Sequence, residues 1–281
     1  MIRYRLINGS VMIATLIGAL YLPSLVVFAI IPLLAALMSV EFFRLLRGAD
    51  LPCYPRSGIV GAVGLITLTG VVAALGGEVA AYRAEALGLA LIVLAVWLRA
   101  GFGPEEKAPL TAVALTLLGV LYCGWLFNFY TKLFWFWPEG DGRWLLFYMI
   151  LIVKVTDMGA FFTGCNLGRH KLCPRISPAK TREGCVGGVL AGLTTSLLFW
   201  WWRGGEIGPV SLTIANAIIL GMVLPAVGIV GDLIESLLKR AIAVKDSGGW
   251  VKGMGGILDI LDSLMFAGPV LYGCLWWMTG R

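Results

Sequence analysis

Residues 210–240 read VSLTIANAIILGMVLPAVGIVGDLIESLLKR. From Val210 to Val230 no residue is charged, and then the character changes: Asp232, Glu235, Ser236 and Lys239 recur at i, i+3, i+4 and i+7. That spacing places all four on one face of a helix. A helix carried on to Arg240 would be about 45 Å long, against a hydrocarbon core of about 30 Å. The stretch predicts a membrane span over 210–238 whose polar end projects past the lipid core. Pro225, two turns before Asp232, predicts a kink or a loosening that opens space beside the polar face.

The rest of the chain has the same character. Of 281 residues, 59% are hydrophobic and 14% charged, and the mean hydropathy is +0.89. A soluble domain carries about 25% charged residues, and a globule of this length could not hide so much apolar surface. Disorder is excluded by the same apolarity. Candidate spans fall at about 7–22, 24–40, 58–76, 84–99, 108–128, 143–164, 185–202, 210–238 and 263–279. The expected fold is an all-α polytopic membrane protein with about nine transmembrane helices. Alternation at period two is absent, which argues against a β-barrel, and no inverted repeat or Walker P-loop points to a transporter or an ATP-driven pump. The segment Asn8 to Leu22 lacks a small-residue cleavage site, so no cleavable signal is expected.

Six cysteines form no CxxC pair, and His170 is the sole histidine. A zinc site, a disulfide framework and a Ser-His-Asp triad therefore have little support. The excess of 22 Lys and Arg over 16 Asp and Glu reads as topology signals; no nucleic-acid partner is expected. With Arg3 and Arg5 in the cytoplasm, sixteen basic residues fall inside and five outside, Lys154 lying within a span. The positive-inside rule then gives a cytoplasmic N-terminus and an outside C-terminus. We divide the chain into N-terminal transmembrane helices, 1–140, and a C-terminal transmembrane catalytic region, 141–281, with cytoplasmic-side loops at 165–184 and 239–262.

Two polar islands share the cytoplasmic side, Lys154 to Glu183 and Asp232 to Asp262. Asp157 sits in or at the end of an apolar span, where a charge needs a partner. It either pairs with Lys154 on the same helical face or lines a polar cavity, with Gly159 and Gly164 allowing close backbones. Asp259 and Asp262, again three apart, follow Gly253, Gly255 and Gly256. A glycine-rich turn opening a helix suits phosphate oxygens. Paired carboxylates suit a hard cation such as Mg2+, and Lys239, Arg240, Lys245 and Lys252 can take phosphate charge. Ser177-Pro178 reads as an N-cap with proline at N1, opening a short helix with or without an anion at its end. Gly184 and Gly188 form a small-residue face for helix packing, with dimerisation left open. Metal carboxylates and basic clamps at the lipid boundary suit phosphoryl or nucleotidyl transfer involving a lipid.

These residues resemble the phosphatidate cytidylyltransferases, or CDP-diacylglycerol synthases. That signature runs Ser-x-x-Lys-Arg-x4-Lys-Asp, then Gly-His-Gly-Gly, then Asp-Arg-x-Asp-Ser. Here Ser236-Leu-Leu-Lys239-Arg240 is followed by Lys245-Asp246, by Gly253-Met254-Gly255-Gly256, and by Asp259-Ile260-Leu261-Asp262-Ser263. Asp157-x-x-Ala160, the run Ile176 to Gly184 and Glu41-Phe42 also match. Met254 replaces the family histidine and Ile260 the arginine of Asp-Arg-x-Asp; neither change touches the carboxylates.

The resemblance implies a membrane nucleotidyltransferase that makes CDP-diacylglycerol and pyrophosphate from phosphatidate and CTP, dependent on Mg2+. It further implies a bacterial cytoplasmic membrane with the site facing the cytoplasm. By analogy Asp232, Asp259 and Asp262 hold the metal, with Asp246 beside them and a second cation left open. Lys239, Arg240 and Lys245 hold substrate phosphates, next to Ser236, Gly255 and Gly256. Ser177, Lys180, Thr181 and Glu183 line the CTP side, with Asp157 at the substrate. A homodimer is left open. The alternatives are a CTP-dependent lipid or polyprenol kinase and an ion-coupled transporter, which would hold its acids near the bilayer midplane.

Overall fold

The computed structural model describes residues 17, 18, 20–104, 106–137, 142–244 and 256–280. Most of the first expected span, about 7–22, lies outside them, as do Lys245, Asp246, Lys252, Gly253, Met254 and Gly255. Seven helices among the described residues are long and apolar enough to cross a membrane: α1 (Ser24–Gly48), α2 (Pro55–Phe102), α3 (Pro109–Trp135), α4 (Arg143–Leu167), α5 (Arg182–Trp202), α6 (Ile214–Ala241) and α7 (Ile257–Met278). The chain is an integral membrane protein.

The expected pair of spans at 58–76 and 84–99 forms the single element α2. No seven-residue loop separates them. Gly77 alone leaves helical geometry, at φ +78° and ψ −177°, a backbone shape open only to glycine. The two arms run antiparallel: a Cβ on Gly61 would meet Ile92 Cγ2 at 3.0 Å, and one on Gly88 would meet Leu68 Cδ2 at 3.1 Å. With two arms of about 33 and 37 Å, α2 accounts for two of the expected crossings.

Two short antiparallel ribbons interrupt the helices. β1 (Lys171–Cys173) pairs with β2 (Ser177–Thr181), and β3 (Glu206–Ile207) with β4 (Val210–Ser211). The first corrects the reading of Ser177-Pro178 as a helix start. Ser177 lies opposite Cys173 in the ribbon, and the N-cap is Thr181, whose Oγ1 accepts the Gly184 N–H at 3.1 Å. Thus 165–184 is a helix end, a ribbon and a helix start; 239–262 likewise holds the end of α6 and the start of α7.

Small residues set how closely α4, α5 and α6 pack. A Cβ on Gly159 would sit 2.6 Å from Ala191 Cβ, one on Gly184 2.8 Å from the Ala160 oxygen, and one on Gly188 3.0 Å from the Thr156 oxygen. The face expected at Gly184 and Gly188 therefore packs within the chain, against α4. Pro225 stays inside a continuous α6, and Gly192 makes room for it: a Cβ there would meet Pro225 Cγ at 2.4 Å.

A buried ion pair ties the N-terminal helices together. Glu85 Oε2 on α2 lies 2.7 Å from Lys132 Nζ on α3, with side-chain exposures of 8% and 5%. Asn128 Nδ2 donates to Glu85 Oε1 and to Thr69 Oγ1, both at 3.1 Å, and the ammonium stands 4.1 Å over the Phe129 ring. Charges removed from water need such compensation, and losing one partner leaves the other stranded. Lys132→Met is expected to destabilise the protein by about 3–5 kcal/mol, read as a lower melting temperature in detergent. Glu85→Leu/Lys132→Met should recover much of that loss; equal melting of the single and double variants would contradict the assignment.

Candidate active site

The polar face of α6 meets the first turns of α7 because Gly231 has no side chain. A Cβ there would fall 2.7 Å from the Asp262 backbone oxygen and 3.5 Å from Phe266 Cδ2. At Gly228, one turn earlier, a Cβ would lie 3.2 Å from Val153 Cγ1 of α4 and 3.5 Å from the Ser263 oxygen. Asp232 on α6, Asp262 on α7 and Asp157 on α4 converge here, with Asp232, Asp157 and Lys154 as charged neighbours of Asp262.

Three ammonium groups hold this anionic cluster. Lys154 Nζ donates to the Ile260 oxygen at 2.7 Å and to Ser263 Oγ at 3.1 Å, and lies 3.4 Å from Asp157 Oδ2. Ser263 Oγ in turn donates to Asp157 Oδ2 at 3.0 Å. The pairing of Asp157 with Lys154 is therefore present, and it is part of the junction rather than an alternative to it. Lys180 Nζ, carried in by β2, lies 2.7 Å from Asp232 Oδ2 and donates to the Ile229 oxygen at 3.2 Å. Ser236 Oγ donates to Asp232 Oδ1 at 3.4 Å. Lys239 Nζ lies 2.7 Å from Asp259 Oδ1 and 2.6 Å from Glu235 Oε2. Exposure falls from 36% at Asp157 and 34% at Asp232 to 10% at Asp259 and 0% at Glu235. The site opens on the Asp157–Asp232 side and closes behind Glu235.

Of the expected glycine turn, Gly256 alone is described, and the start of α7 that follows it is held by carboxylates. Glu41 of α1, buried at 1% exposure, accepts the Ile257 N–H at 3.0 Å and the Leu258 N–H at 2.8 Å. Asp259 Oδ2 accepts the Gly256 N–H at 2.8 Å. A protein carboxylate thus takes the positive end of this helix. Glu41 entered the sequence reading only as part of a family match. A buried acid at the end of an apolar span was the signal for its role.

The remaining expected residues divide clearly. Thr181 caps α5. Glu183 Oε2 accepts the Arg169 N–H at 3.1 Å, and its Oε1 lies 2.6 Å from His170 Nδ1, fastening the end of α4 to α5. Ser177 stays in the ribbon and Arg240 is exposed. Of Ser177, Lys180, Thr181 and Glu183, Lys180 is the one that bonds a site carboxylate. Lys154, expected as the partner of Asp157, and Glu235, expected on the polar face of α6, bond within the site, and so does Ser263, for which no role of its own was expected.

The donor chemistry suits a divalent cation. With all groups ionised, Asp157, Asp232, Glu235, Asp259 and Asp262 outnumber Lys154, Lys180 and Lys239 by two charges. A divalent cation would balance the two charges left in that state. Among the described residues no group of three His, Cys, Asp or Glu side chains is gathered for a metal. One or two of these carboxylates, completed by phosphate oxygens and water, would suit Mg2+. Asp259 bonds Lys239 and the Gly256 N–H, and Asp232 bonds Lys180 and Ser236; of the three expected metal carboxylates, Asp232 is a charged neighbour of Asp262.

Fold and site together define a membrane-embedded enzyme built to hold polyanions at a carboxylate centre. The cytidylyltransferase family model matches residues 3–278. The chain is 31% identical over 245 residues to the phosphatidate cytidylyltransferase of Bacillus subtilis (strain 168), covering 85% of this chain and 86% of that one. It is 33% identical over 250 residues to the phosphatidate cytidylyltransferase of Staphylococcus aureus (strain COL), covering 88% of each. The chain belongs to the cytidylyltransferase family.

Glu41→Ala would leave two N–H groups of α7 without acceptors, at about 1–3 kcal/mol each. The expected result is a lower melting temperature and faster amide hydrogen exchange at Ile257 and Leu258. Glu41→Gln, which keeps an acceptor oxygen, should exchange at an intermediate rate; wild-type exchange in the alanine variant would refute the capping role.

Proposed function

We propose that this protein makes CDP-diacylglycerol and pyrophosphate from CTP and phosphatidate at the cytoplasmic face of a bacterial cytoplasmic membrane. The proposed topology has nine crossings, with the N-terminus inside. The observation that carries the reading is the junction of Asp232 and Asp262 at Gly231, flanked by lysines from β2 and α6, in a chain of the cytidylyltransferase family.

The reaction needs no strong protein base. A lipid phosphate is already anionic and nucleophilic at neutral pH; its oxygen attacks the α-phosphorus of CTP, and pyrophosphate departs. The difficulty is to hold two polyanions in line, which is a task for fixed positive charge and positioning. Lys180 and Lys239 stand at opposite sides of the carboxylates and can extend to phosphate oxygens. Asp232 and Glu235 anchor them between those tasks, and Arg240 and Lys245 add charge at the cytoplasmic end. Asp232 and Asp262 would hold Mg2+, which would screen phosphate charge and stabilise the departing pyrophosphate.

With Mg2+, CTP and phosphatidate in mixed micelles, purified protein is expected to form CDP-diacylglycerol and pyrophosphate in equal amounts. Asp262→Asn should lower turnover by about a hundredfold or more with its melting temperature preserved. Release of CDP in place of pyrophosphate would make the protein a lipid kinase, and near-normal turnover in Asp262→Asn would remove that residue from the centre.

A further inference from the structure

Every site residue discussed above except Glu41 comes from the C-terminal half of the chain. Tyr122, on α3, is a second contribution from the N-terminal half, and neither the sequence pattern nor the carboxylate chemistry assigns it a role. It lies in a π-helical turn, Val120–Trp125, a distortion that often re-aims a side chain at a functional site. The residue is 6% exposed, and its hydroxyl is a buried polar atom with no hydrogen-bond partner among the described residues. The ring is walled by Phe42 of α1, with centroids 6.1 Å apart, and by Phe266 of α7 at 6.3 Å. Phe266 is the ring that packs over Gly231, where α6 and α7 touch. Glu235, Asp262 and Asp232 are the charged groups that bear on the phenol.

A phenylalanine at this position would fill the same aromatic pocket without burying an unsatisfied donor. No acceptor among the described residues bonds the hydroxyl, and one that substrate binding brings in would satisfy it. We propose that Tyr122 is a substrate-contacting residue whose hydroxyl donates to a phosphoryl oxygen, that of the lipid rather than the nucleotide. The aromatic walls favour the lipid, whose single phosphate is attached to an apolar body, whereas the triphosphate of CTP demands the ammonium groups on the ribbon side. A neutral phenol also suits a wall that already holds carboxylates, because it offers a donor without adding charge.

The inference rests on the cytidylyltransferase reading, and Tyr122→Phe tests it. In mixed micelles the KM for phosphatidate should rise about tenfold, the loss of a hydrogen bond to a charged group. The KM for CTP should stay unchanged, and the melting temperature should hold or rise. Unchanged KM values for both substrates would overturn the proposal, as would a rise confined to CTP or a fall in melting temperature alone. A second measurement needs no turnover: phosphatidate without CTP should raise the melting temperature of the wild type more than that of Tyr122→Phe. Equal shifts would overturn the proposal. A difference in shift from a wild type that makes no CDP-diacylglycerol would sink the proposed reaction and keep the lipid contact.

Discussion

The contact at Gly231 governs this molecule. Helices α6 and α7 approach until the Asp262 backbone oxygen occupies the place of a side chain at residue 231. The next residue along α6 is Asp232, so the approach that packs the helices also makes Asp232 a charged neighbour of Asp262. Away from bulk water such a pair is strongly repulsive. The surrounding lysines are therefore part of the fold as much as of the site. Lys154 crosses from α4 to the α7 backbone and Lys180 holds Asp232 from β2, while Lys239 joins Glu235 to Asp259.

The same physics recurs elsewhere in the chain. On α3, Tyr122 and Lys132 are ten residues apart, about 15 Å along the helix. Near Lys132 the ion pair with Glu85 is buried and each Glu85 oxygen has a partner, and the hydroxyls of Tyr82 and Tyr272 bond to each other. Near Tyr122 the cluster is only partly neutralised and opens towards Asp157 and Asp232. One cluster is closed and holds helices together; the other sets five carboxylates against three lysines and is most exposed at Asp157 and Asp232. Glu41 links α1 to the second by holding the first turn of α7, the helix that carries Asp259 and Asp262.

Much of this was legible in the residues. The unbroken apolar runs located the spans, because lipid leaves the backbone no choice but a helix. The i, i+3, i+4, i+7 pattern placed Asp232, Glu235, Ser236 and Lys239 on one face, and their mutual contacts follow it. What sequence could not supply was pairing between distant elements. Ser177-Pro178 looks like a cap until Lys171–Cys173 is laid beside it. At Gly256 the run Gly253, Gly255 and Gly256 leads into a helix whose Ile257 and Leu258 N–H groups are taken by Glu41, more than two hundred residues earlier. Nor does composition say that Gly77 alone turns α2 back on itself. Local period and charge are read along a chain; a partner across the bundle is not.

The most direct measurement of the central claim is Mn2+ binding, followed by electron paramagnetic resonance on the purified protein in detergent without substrates. The account predicts a bound-Mn2+ signal that Mg2+ competes away and that disappears in both Asp232→Asn and Asp262→Asn, with thermal unfolding preserved. Retention of the signal in either variant would mean that the two aspartates meeting at Gly231 do not form the metal centre.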